Sequence, residues 1–320
     1  MTQRPDLSVV IATYNRHQLL GDALAALAGQ QTPPWLRWEV IVVDNNSRDD
    51  TPRVVAGMTG RMPMPTRYVL EAKQGMSHAR NRGVRESGGA IVGILDDDVL
   101  PWPDWAGGVV TRMEEWKADG LGGRILPRWE TPPPRWLAGN RELQRYCFAI
   151  LDDAESCELT YPVQGGGQIW GSNMAFRREV FDDVGYFDTG LGRSGDRLYR
   201  GGEEQLFVNR ALQHGWRMVY DPSVAVYHRI GADRLRKGYV RKLFLHHGEG
   251  HARADTSAHS RRILGAPRWA WFLSARRLAS WSSHTLLARP DAFARELDFL
   301  YECGKLWGYW KFRSSVRRDA

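Results

Sequence analysis

The first hundred residues alternate between apolar runs of strand length and segments with a helical pattern. The runs with strand character are LSVVIAT (7–13), WEVIVVD (38–44), TRYVL (66–70) and AIVGILD (90–96). The segments with helical character are HQLLGDALAALAGQ (17–30), SRDDTPRVVAGM (47–58) and GMSHARNRGVRES (75–87). Runs that are apolar throughout are buried on both faces, as in a parallel sheet. The alternation therefore predicts an α/β doubly wound domain.

Polar side chains follow three of these predicted strands, at the point where each strand ends. They form the segments TYN (13–15), DNNS (44–47) and DDD (96–98). In open α/β sheets ligands bind beyond the carboxyl ends of the strands, so we expect all three segments at one edge. No G-x-G-x-x-G sequence follows the first strand, which disfavours a dinucleotide cofactor.

The three adjacent carboxylates of Asp96, Asp97 and Asp98 stand out among these segments. Carboxylates at neighbouring positions repel one another, and at least one of them should bind a proton or a cation. An acidic turn in water is the simpler interpretation. Hard divalent cations prefer carboxylate oxygens, and a metal site is therefore the alternative.

Several segments together resemble family 2 glycosyltransferases, which have the GT-A fold. SVVIATYNR, EVIVVDNNSRDDT, GMSHARNRG and ILDDDVLPWPDW look like the nucleotide-binding half, and GSNMAFRREVFDDVGYFD and GGEEQLFVNRALQHGW look like the acceptor half. The resemblance spans residues 7–228 in the family's order. It implies a catalytic domain over residues 1–230, with a nucleotide-binding half (1–100) and an acceptor half (101–230). The implied fold is a Rossmann-like, mainly parallel sheet flanked by helices.

The resemblance implies a metal site at the aspartates. In this family a D-x-D element binds Mn²⁺ or Mg²⁺, which grips the diphosphate of a nucleotide-sugar and stabilises the leaving group. Asp98 is the expected metal ligand, with Asp96 as a further candidate. Asp96 and Asp97 are also expected to hold ribose hydroxyls, the donor sugar or metal-bound water. His228 is expected to complete the metal shell, and a structural or surface histidine is the alternative.

A second acidic pair, Glu203 and Glu204, lies in GGEEQLFVNR (201–210). Acidic side chains at a helix start interact favourably with the helix dipole, by about 0.3–1 kcal/mol, and this would explain the pair without catalysis. The resemblance instead places Glu204 at the position of the catalytic base, where aspartate is commoner, with Glu203 beside it as a second catalytic residue. Arg210 stands seven residues after Glu203, as in the family. A single displacement assisted by this base inverts the anomeric configuration.

The donor nucleotide is expected to contact residues of the three strand ends and the third helix. They are Thr13, Tyr14, Asn15, Asp44, Asn45, Lys73, Arg80, Asp96 and Asp97. Relatives often have a second acid where this chain has Asn45, and an asparagine can both accept from and donate to a base. UDP is the expected nucleotide, although this departure leaves the base open. A solvated position on the helix is the alternative for Arg80.

Three further segments have candidate roles near the sugar. GGGQIWGSN (165–173) is expected to form the floor of the site, because glycines allow close backbone approach. Trp170 would stack on a sugar or pack in the core. GLGRSGDRLYRGG (190–202) has the composition of a mobile lid. RWETPPPRWLAGN (128–140) is too rich in proline for a helix and is expected to be irregular.

Charge is distributed unevenly along the chain. The whole sequence has a net charge of +7, whereas residues 229–320 contain 19 Lys and Arg against 8 Asp and Glu, a net charge of +11. Residues 231–320 are predicted to form a helical extension, with five tryptophans between residues 267 and 313. An apolar stripe at helical spacing is formed by Phe293, Leu297, Leu300, Trp307 and Trp310. Such a stripe packs on a domain or lies on an anionic membrane surface.

The composition narrows the class of protein. Cys147, Cys157 and Cys303 are too few and too scattered for a disulfide framework or a zinc site. No apolar segment approaches the roughly 20 residues of a membrane span. We expect a cytoplasmic enzyme. Peripheral binding to the inner face of the cell membrane is a second expectation. Its expected partners are a nucleotide-sugar donor and a glycan, lipid-linked or small-molecule acceptor, without nucleic acid.

Three other functions stay open. A nucleotidyltransferase on a related sheet would need a glycine-rich first loop, and TYNRHQ (13–18) contains no glycine. A nucleic-acid-binding protein would need a basic motif or an aromatic stacking platform. A non-catalytic relative would bind a nucleotide-sugar without needing both acidic segments.

Overall fold

The computed structural model describes residues 4–162, 168–192, 202–254 and 262–311. These residues form two compact units. The sheet unit comprises the described residues within Met1–Arg128, Phe148–Gly195 and Glu203–Arg229. The helical unit comprises those within Trp129–Cys147, Asp196–Gly202 and Ile230–Ala320. The domain boundary at residue 230 stays a prediction.

A mixed sheet of nine strands forms the centre of the sheet unit. Its strands are β1 (Leu7–Thr13), β2 (Trp38–Asp44), β3 (Thr66–Leu70), β4 (Ile91–Asp96), β5 (Val99–Pro101), β6 (Gly120–Trp129), β7 (Cys157–Glu158), β8 (Asn173–Arg177) and β9 (Met218–Ile230). The first four strands lie in the order β3-β2-β1-β4 and run parallel, and β8 pairs antiparallel with β4. All of β2 and most of β1 are buried, because both faces are covered. The predicted bounds of β1, β2 and β3 are confirmed.

Helices connect these strands. Along the chain they are α1 (His17–Ala28), α2 (Thr51–Thr59), α3 (Met76–Glu86), α4 (Trp105–Glu115), α5 (Arg141–Phe148), α6 (Arg178–Val184) and α7 (Glu203–Gln213). The predicted start of α2 at Ser47 is wrong by four residues. The backbone N–H of Ser47 donates to Oδ1 of Asp44 at 2.8 Å, and this side-chain turn competes with helix formation until Thr51.

The register of the parallel strands brings their carboxyl ends to one edge of the sheet. Thr13 stands opposite Asp44, and Ala12 stands opposite Asp96. On the antiparallel side, Val99 of β5 stands opposite His228 of β9. The predicted meeting of the three polar segments at one edge is therefore confirmed, and His228 lies on the strand that pairs with the chain just beyond the aspartates.

The helical unit is built mainly from three long helices and a short hairpin. Its elements after α5 are a 3₁₀ helix (Ala232–Leu235), α8 (Lys237–Ala254), β10 (Arg262–Ile263), β11 (Ala266–Pro267), α9 (Arg268–Leu286) and α10 (Ala292–Lys311). The backbones of α8 and α10 approach closely at glycines. A Cβ at Gly248 would collide with the carbonyl oxygen of Tyr301, and a Cβ at Gly304 would collide with that of Leu245. None of the helices in the described ranges combines the length and apolar character needed to cross a membrane.

The apolar stripe predicted on α10 divides between core and surface. Phe293 and Leu297 are buried, and Phe293 meets Trp136 edge-on with a centroid distance of 4.9 Å. Trp307 and Trp310, in the last turns of the helix, are exposed. Packing within the unit therefore explains the first half of the stripe and leaves the second half unexplained.

Candidate active site

The first acidic cluster at the sheet edge consists of Arg16, Asp97, Asp98 and His228, and we call it the Arg16 cluster. Nη1 of Arg16 lies 3.0 Å from Oδ1 of Asp97 and 3.0 Å from Oδ2 of Asp98. Both aspartate side chains are buried, whereas 33% of the Arg16 side chain is exposed. One guanidinium on the solvent side therefore holds two buried acids.

His228 faces Asp98 from β9. Its Nδ1 lies 2.7 Å from the carbonyl oxygen of Phe148, and because a carbonyl can only accept, Nδ1 carries the hydrogen. In the neutral ring Nε2 is then the acceptor nitrogen, and it lies 3.5 Å from Oδ1 of Asp98. A histidine that ligates a metal commonly has its other nitrogen fixed by a backbone carbonyl in this way. The pair of Asp98 and His228 therefore fits a divalent cation.

Asp97 is the most constrained acid of the Arg16 cluster. Its Oδ2 accepts a hydrogen bond of 2.8 Å from Oγ1 of Thr13, while its Oδ1 is bound by Arg16. Burial raises the pKa of Asp97 to about 6, Arg16 opposes this rise, and the charge of Asp98 adds to it. Burial disfavours the charged form of a carboxyl group, which explains the direction of this shift.

The second acidic cluster consists of Arg80, Asp96, Glu203 and Glu204, and we call it the Arg80 cluster. Nη2 of Arg80 lies 2.9 Å from Oδ1 of Asp96. Nη1 lies 3.1 Å from Oε1 of Glu203 and 3.3 Å from Oε1 of Glu204. Only 1% of the Arg80 side chain is exposed. The alternative of a solvated Arg80 is therefore wrong, because three carboxyl groups enclose its guanidinium inside the protein.

The two glutamates at the start of α7 differ in their access to solvent. The Glu203 side chain is 0% exposed and that of Glu204 is 13% exposed. Burial raises the pKa of Glu203 to about 8, Glu204 adds to this rise, and Arg80 opposes it. Oε2 of Glu203 has no hydrogen-bond partner among the described residues, and a neutral carboxyl tolerates such burial better than a charged one. Burial therefore favours the neutral form of Glu203, and Glu204 is the member of the pair that reaches solvent.

Gly171 provides the space that the Arg80 cluster occupies. A Cβ at this position would collide with Nη2 of Arg80 and with Oε1 of Glu204. The neighbouring Trp170 is partly buried against the core of the sheet unit, which agrees with the packing interpretation of its ring. Residues 165–167 of the predicted floor and residues 193–201 of the predicted lid lie outside the described residues.

The loops after β1 and β2 are bound to each other at the same edge of the sheet. Asp44 is buried, and its Oδ2 accepts a hydrogen bond of 2.7 Å from the hydroxyl of Tyr68. Burial and this bond raise the pKa of Tyr68 to about 12. Asn15 accepts from the backbone N–H of Arg48 at 2.7 Å and donates its own N–H to Oγ of Ser47 at 2.9 Å. These contacts fix the two loops in place at the sheet edge.

Asn45 binds the loop between β3 and α3 with all four hydrogen-bonding positions of its amide. Nδ2 donates to the carbonyl oxygens of Glu71 (3.2 Å) and Lys73 (2.7 Å). Oδ1 accepts from the backbone N–H of Gly75 (2.7 Å) and from Nε2 of Gln74 (3.2 Å). The structure thus places Asn45 as a loop anchor, and its role in reading a base stays a prediction.

Several residues have positions that sequence reasoning did not anticipate. Arg16 received no role, although its place directly after β1, facing the acids after β4, was a usable signal. Arg210 donates to the carbonyl oxygen of Tyr186 at 2.5 Å, so it binds α7 to the segment after α6. The nucleotide roles expected for Tyr14, which is half-buried, and Lys73, which is exposed, stay predictions.

A mixed α/β sheet with two acidic clusters at its carboxyl edge defines a glycosyltransferase of the GT-A type. The family model described as Glycosyl transferase family 2 matches residues 8–185, more than half of the chain, and the chain belongs to this family. The resemblance, the fold class and the class of enzyme inferred from the sequence are therefore confirmed.

Two known proteins are similar to this chain over most of its length. The chain is 26% identical over 234 residues to a glucosyl-dolichyl phosphate glucuronosyltransferase of Haloferax volcanii, covering 70% of this chain and 69% of that protein. It is 29% identical over 270 residues to the succinoglycan biosynthesis protein ExoO of Rhizobium meliloti, covering 81% of this chain and 70% of that protein. The first name is that of a glucuronosyltransferase, and the second refers to succinoglycan biosynthesis.

Two solved structures have the same fold. The mannosyltransferase PcManGT from Pyrobaculum calidifontis, solved with GDP-Man and Mn²⁺, has a TM-score of 0.64 at 20% identity, covering 97% of this chain and 88% of that chain. TarS 1-349 of S. aureus, solved with UDP-GlcNAc, has a TM-score of 0.55 at 17% identity, covering 94% and 90%. At these identities the likeness shows the fold alone.

Proposed function

We propose that this protein is a divalent-metal-dependent, inverting glycosyltransferase that moves a sugar from a UDP-sugar to a hydroxyl of a glycan or lipid-linked acceptor. The observation that carries this proposal is the difference in solvent access between the two glutamates. Glu204 reaches solvent while its Oε1 is held 3.3 Å from Nη1 of Arg80, and Glu203 is fully enclosed. One positioned, accessible carboxylate beside a buried arginine has the arrangement of a general base.

Glu204 takes the proton of the acceptor hydroxyl in the proposed reaction. The acceptor oxygen forms a bond to the anomeric carbon of the donor sugar, while the bond from that carbon to the diphosphate oxygen breaks. The nucleoside diphosphate leaves with the electron pair of the broken bond. Attack from the side opposite the leaving group inverts the anomeric configuration, and general-base assistance of this kind contributes roughly 10²–10⁴-fold.

Arg80 and Glu203 position this base. Arg80 faces three acids, and its Nη1 holds Oε1 of Glu204 at a distance of 3.3 Å. Glu203, kept neutral by burial, limits the negative charge beside Glu204 without competing for the acceptor proton. We assign Glu203 a positioning role on this ground, because its side chain has no access to an acceptor.

Asp98 and His228 are the residues that would hold a divalent cation. The cation, when bound, supplies positive charge at the diphosphate and stabilises the leaving group. Among the described residues no group of three or more His, Cys, Asp or Glu side chains is arranged to hold a metal ion. Two protein ligands completed by donor phosphates and water match the way Mg²⁺-type sites are commonly built. An imidazole beside a carboxylate favours Mn²⁺ over Mg²⁺, because Mg²⁺ takes mainly oxygen ligands. Asp96, which binds Arg80, is retained as a candidate ligand only as a prediction.

The proposals for the donor nucleotide and the acceptor are supported by similar proteins and by the residues at the sheet edge. The solved neighbours hold GDP-Man or UDP-GlcNAc, so both bases belong in a donor screen. We propose UDP, with Asp44, Thr13 and the loop anchored by Asn45 forming its pocket. The name of the Haloferax volcanii relative includes glucosyl-dolichyl phosphate, a lipid-linked sugar, which supports a lipid-linked or glycan acceptor here.

The donor is tested by thermal shift of the protein with UDP-sugars and GDP-sugars, each with and without Mn²⁺. A ligand that binds only the native state raises its stability according to RT ln(1 + [L]/Kd). We expect a shift with UDP-sugars that is larger when Mn²⁺ is present. A shift with GDP-sugars alone would reject UDP, and transfer that continues unchanged in excess EDTA would reject the metal.

The base is tested by comparing Glu204→Gln with Glu203→Gln at saturating donor. Glu204→Gln keeps the size of the side chain and removes the base, so kcat should fall about 10²-fold or more, with donor affinity near that of the wild type. Glu203→Gln replaces a neutral carboxyl by a neutral amide and should cost less. The opposite ranking of the two variants would assign the base to Glu203, and equal wild-type rates would remove both from the chemistry.

A further inference from the structure

One end of the helical unit exposes a group of large apolar side chains, which we call the Trp-rich end surface. Its members are Ile263, Leu264, Trp269, Trp271, Phe272, Trp307 and Trp310, each of them exposed. Leu264 is 74% exposed and Phe272 is 72% exposed. Soluble proteins seldom leave so many large apolar side chains together in water, and such a patch marks a surface that is covered in use.

These side chains come from three elements that meet at the same place. The β10–β11 hairpin carries Leu264 at its turn and leads through Pro267 directly into α9. Nε1 of Trp271 donates to the carbonyl oxygen of Ile263 at 2.9 Å, which holds the hairpin beside the first turn of α9.

The last turns of α10 join this group. Tyr309 is buried in a cluster with Ala266 and Ala270, and its ring meets Trp269 edge-on at a centroid distance of 6.2 Å. Trp307 and Trp310, one turn apart on the same helix, have ring centroids 5.1 Å apart. The hairpin, the start of α9 and the end of α10 therefore form one surface.

Charge in the segment that contains the hairpin and α9 has a single sign. Residues 262–290 contain five arginines and no aspartate or glutamate. Two of the arginines, Arg268 and Arg276, are exposed on α9, close in sequence to the exposed Trp269, Trp271 and Phe272. A cationic patch complements a surface of negative charge, and an anionic bilayer presents such a surface. Exposed tryptophans among cationic residues match the headgroup layer of such a bilayer.

We propose that the Trp-rich end surface docks this protein on an anionic membrane. Leu264 and Phe272 enter the boundary between headgroups and acyl chains, the tryptophans lie in the headgroup layer, and Arg268 and Arg276 pair with lipid phosphates. This role is separate from glycosyl transfer, and it is measured without donor or acceptor.

The test is co-sedimentation of the full-length protein with vesicles of phosphatidylcholine containing about 30% phosphatidylglycerol, an anionic lipid. Binding should fall when salt is raised from about 0.05 M to about 0.5 M, because surface attraction is screened. Leu264→Asp should weaken binding about tenfold, since a charge replaces an inserted apolar side chain. Leu264 has φ +50°, a conformation that aspartate tolerates, so this variant should fold. Trp307→Ala/Trp310→Ala should weaken binding severalfold.

Matched controls localise the effect. Leu286→Asp changes an 86% exposed leucine at the other end of α9, about 27 Å from Arg268 along the helix, and should bind like the wild type. Arg268→Ser/Arg276→Ser should reduce binding and flatten its salt dependence, whereas Arg53→Ser/Arg61→Ser removes the same charge from exposed positions of the sheet unit and should not. Far-UV circular dichroism and the Tm confirm that each variant is folded.

Three outcomes would overturn the proposal. The first is absence of binding of the wild type to these vesicles at low salt, which would leave a protein partner as the occupant of the surface. The second is equal binding to vesicles of phosphatidylcholine alone, which would remove the role of charge. The third is equal loss of binding in Leu286→Asp and Leu264→Asp, which would place the contact elsewhere on the helical unit.

Discussion

Each acidic cluster of the sheet unit is organised around one arginine, but the two arginines differ in their access to solvent. Arg16 binds Asp97 and Asp98 with a side chain that is 33% exposed, whereas Arg80 binds Asp96, Glu203 and Glu204 with a side chain that is 1% exposed. Both carry the positive charge that adjacent buried acids require. Of the two arginines, only Arg16 is exposed enough to move from its acidic partners into solvent.

This difference indicates two uses of the same kind of ion pair. A cation that can withdraw is able to give its place to another cation, such as a metal ion delivered with the donor. A cation that is enclosed holds its acids in one geometry throughout the reaction. We therefore regard the Arg16 cluster as exchangeable and the Arg80 cluster as permanent, and the following experiments test that distinction.

The largest effect is expected for Arg80→Met. This variant keeps an extended side chain but leaves three carboxyl groups facing one another without a cation. Removing one partner of a buried ion pair typically costs about 3–5 kcal/mol. We expect a loss near the lower limit, because Glu203 is already neutral and Asp96 is partly exposed. The free energy of unfolding, measured in urea, and transfer at saturating donor are the two readouts.

Arg80→Lys is the matched control for this variant. It restores one charge but cannot reach Asp96 and the glutamates through separate nitrogens, so its stability should lie between those of Arg80→Met and the wild type. Wild-type stability and transfer in Arg80→Met would show that the acids reorganise without the cation, and the description of the cluster as permanent would then be wrong.

A smaller effect is expected for Arg16→Gln, and it is a gain in metal affinity rather than a loss of stability. The guanidinium and a metal ion compete for Asp98 in our interpretation, so removing the guanidinium should tighten apparent Mn²⁺ binding roughly fivefold, corresponding to about 1 kcal/mol for a partly exposed pair. Isothermal titration calorimetry with Mn²⁺ and UDP measures this affinity. Asp98→Asn is the contrasting variant, and its Mn²⁺ affinity should fall. Equal losses in both variants would show that Arg16 supports the metal site.

The last comparison concerns the dependence of stability on pH. Glu203 has a pKa of about 8 in the folded protein, against 4.5 for an unperturbed glutamate. Between these values the folded state binds one proton more than the unfolded state. The contribution of Glu203 to stability is therefore complete below pH 4.5 and is lost as the pH rises towards 8.

Glu203→Gln removes this group from the titration. The free energy of unfolding of the variant, followed between about pH 5 and about pH 8, should decline less steeply than that of the wild type. Parallel curves for the two proteins would show that Glu203 is charged in the folded state, and its neutral role beside Glu204 would be withdrawn.

Much of the fold could be predicted because its signals are local. The strands β1, β2 and β3 follow from uninterrupted runs of β-forming residues, and their common edge follows from the topology of parallel strands. The start of α2 could not be predicted in the same way. The side chain of Asp44, which precedes the helix, binds the N–H of Ser47 and holds the chain in a turn where the pattern predicts helix.

The site was only partly predictable because its ion pairs join distant segments. Arg80 and Glu203 are 123 residues apart in sequence, and no spacing rule connects them. The same limit hid the contact of Arg16 with Asp97 and Asp98, and it hid the hydrogen bonds by which Asn45 anchors a neighbouring loop. The identities of the acids were visible in the sequence, whereas the cations that bind them were not assigned.

Gly171 has a consequence for the history of this enzyme. Because a Cβ at position 171 would overlap both Nη2 of Arg80 and Oε1 of Glu204, a side chain there would push the ends of both side chains out of their present positions. A lineage that replaces Gly171 therefore also has to accommodate a displaced arginine and a displaced glutamate. We expect substitutions at these three positions to accompany one another among descendants of this chain.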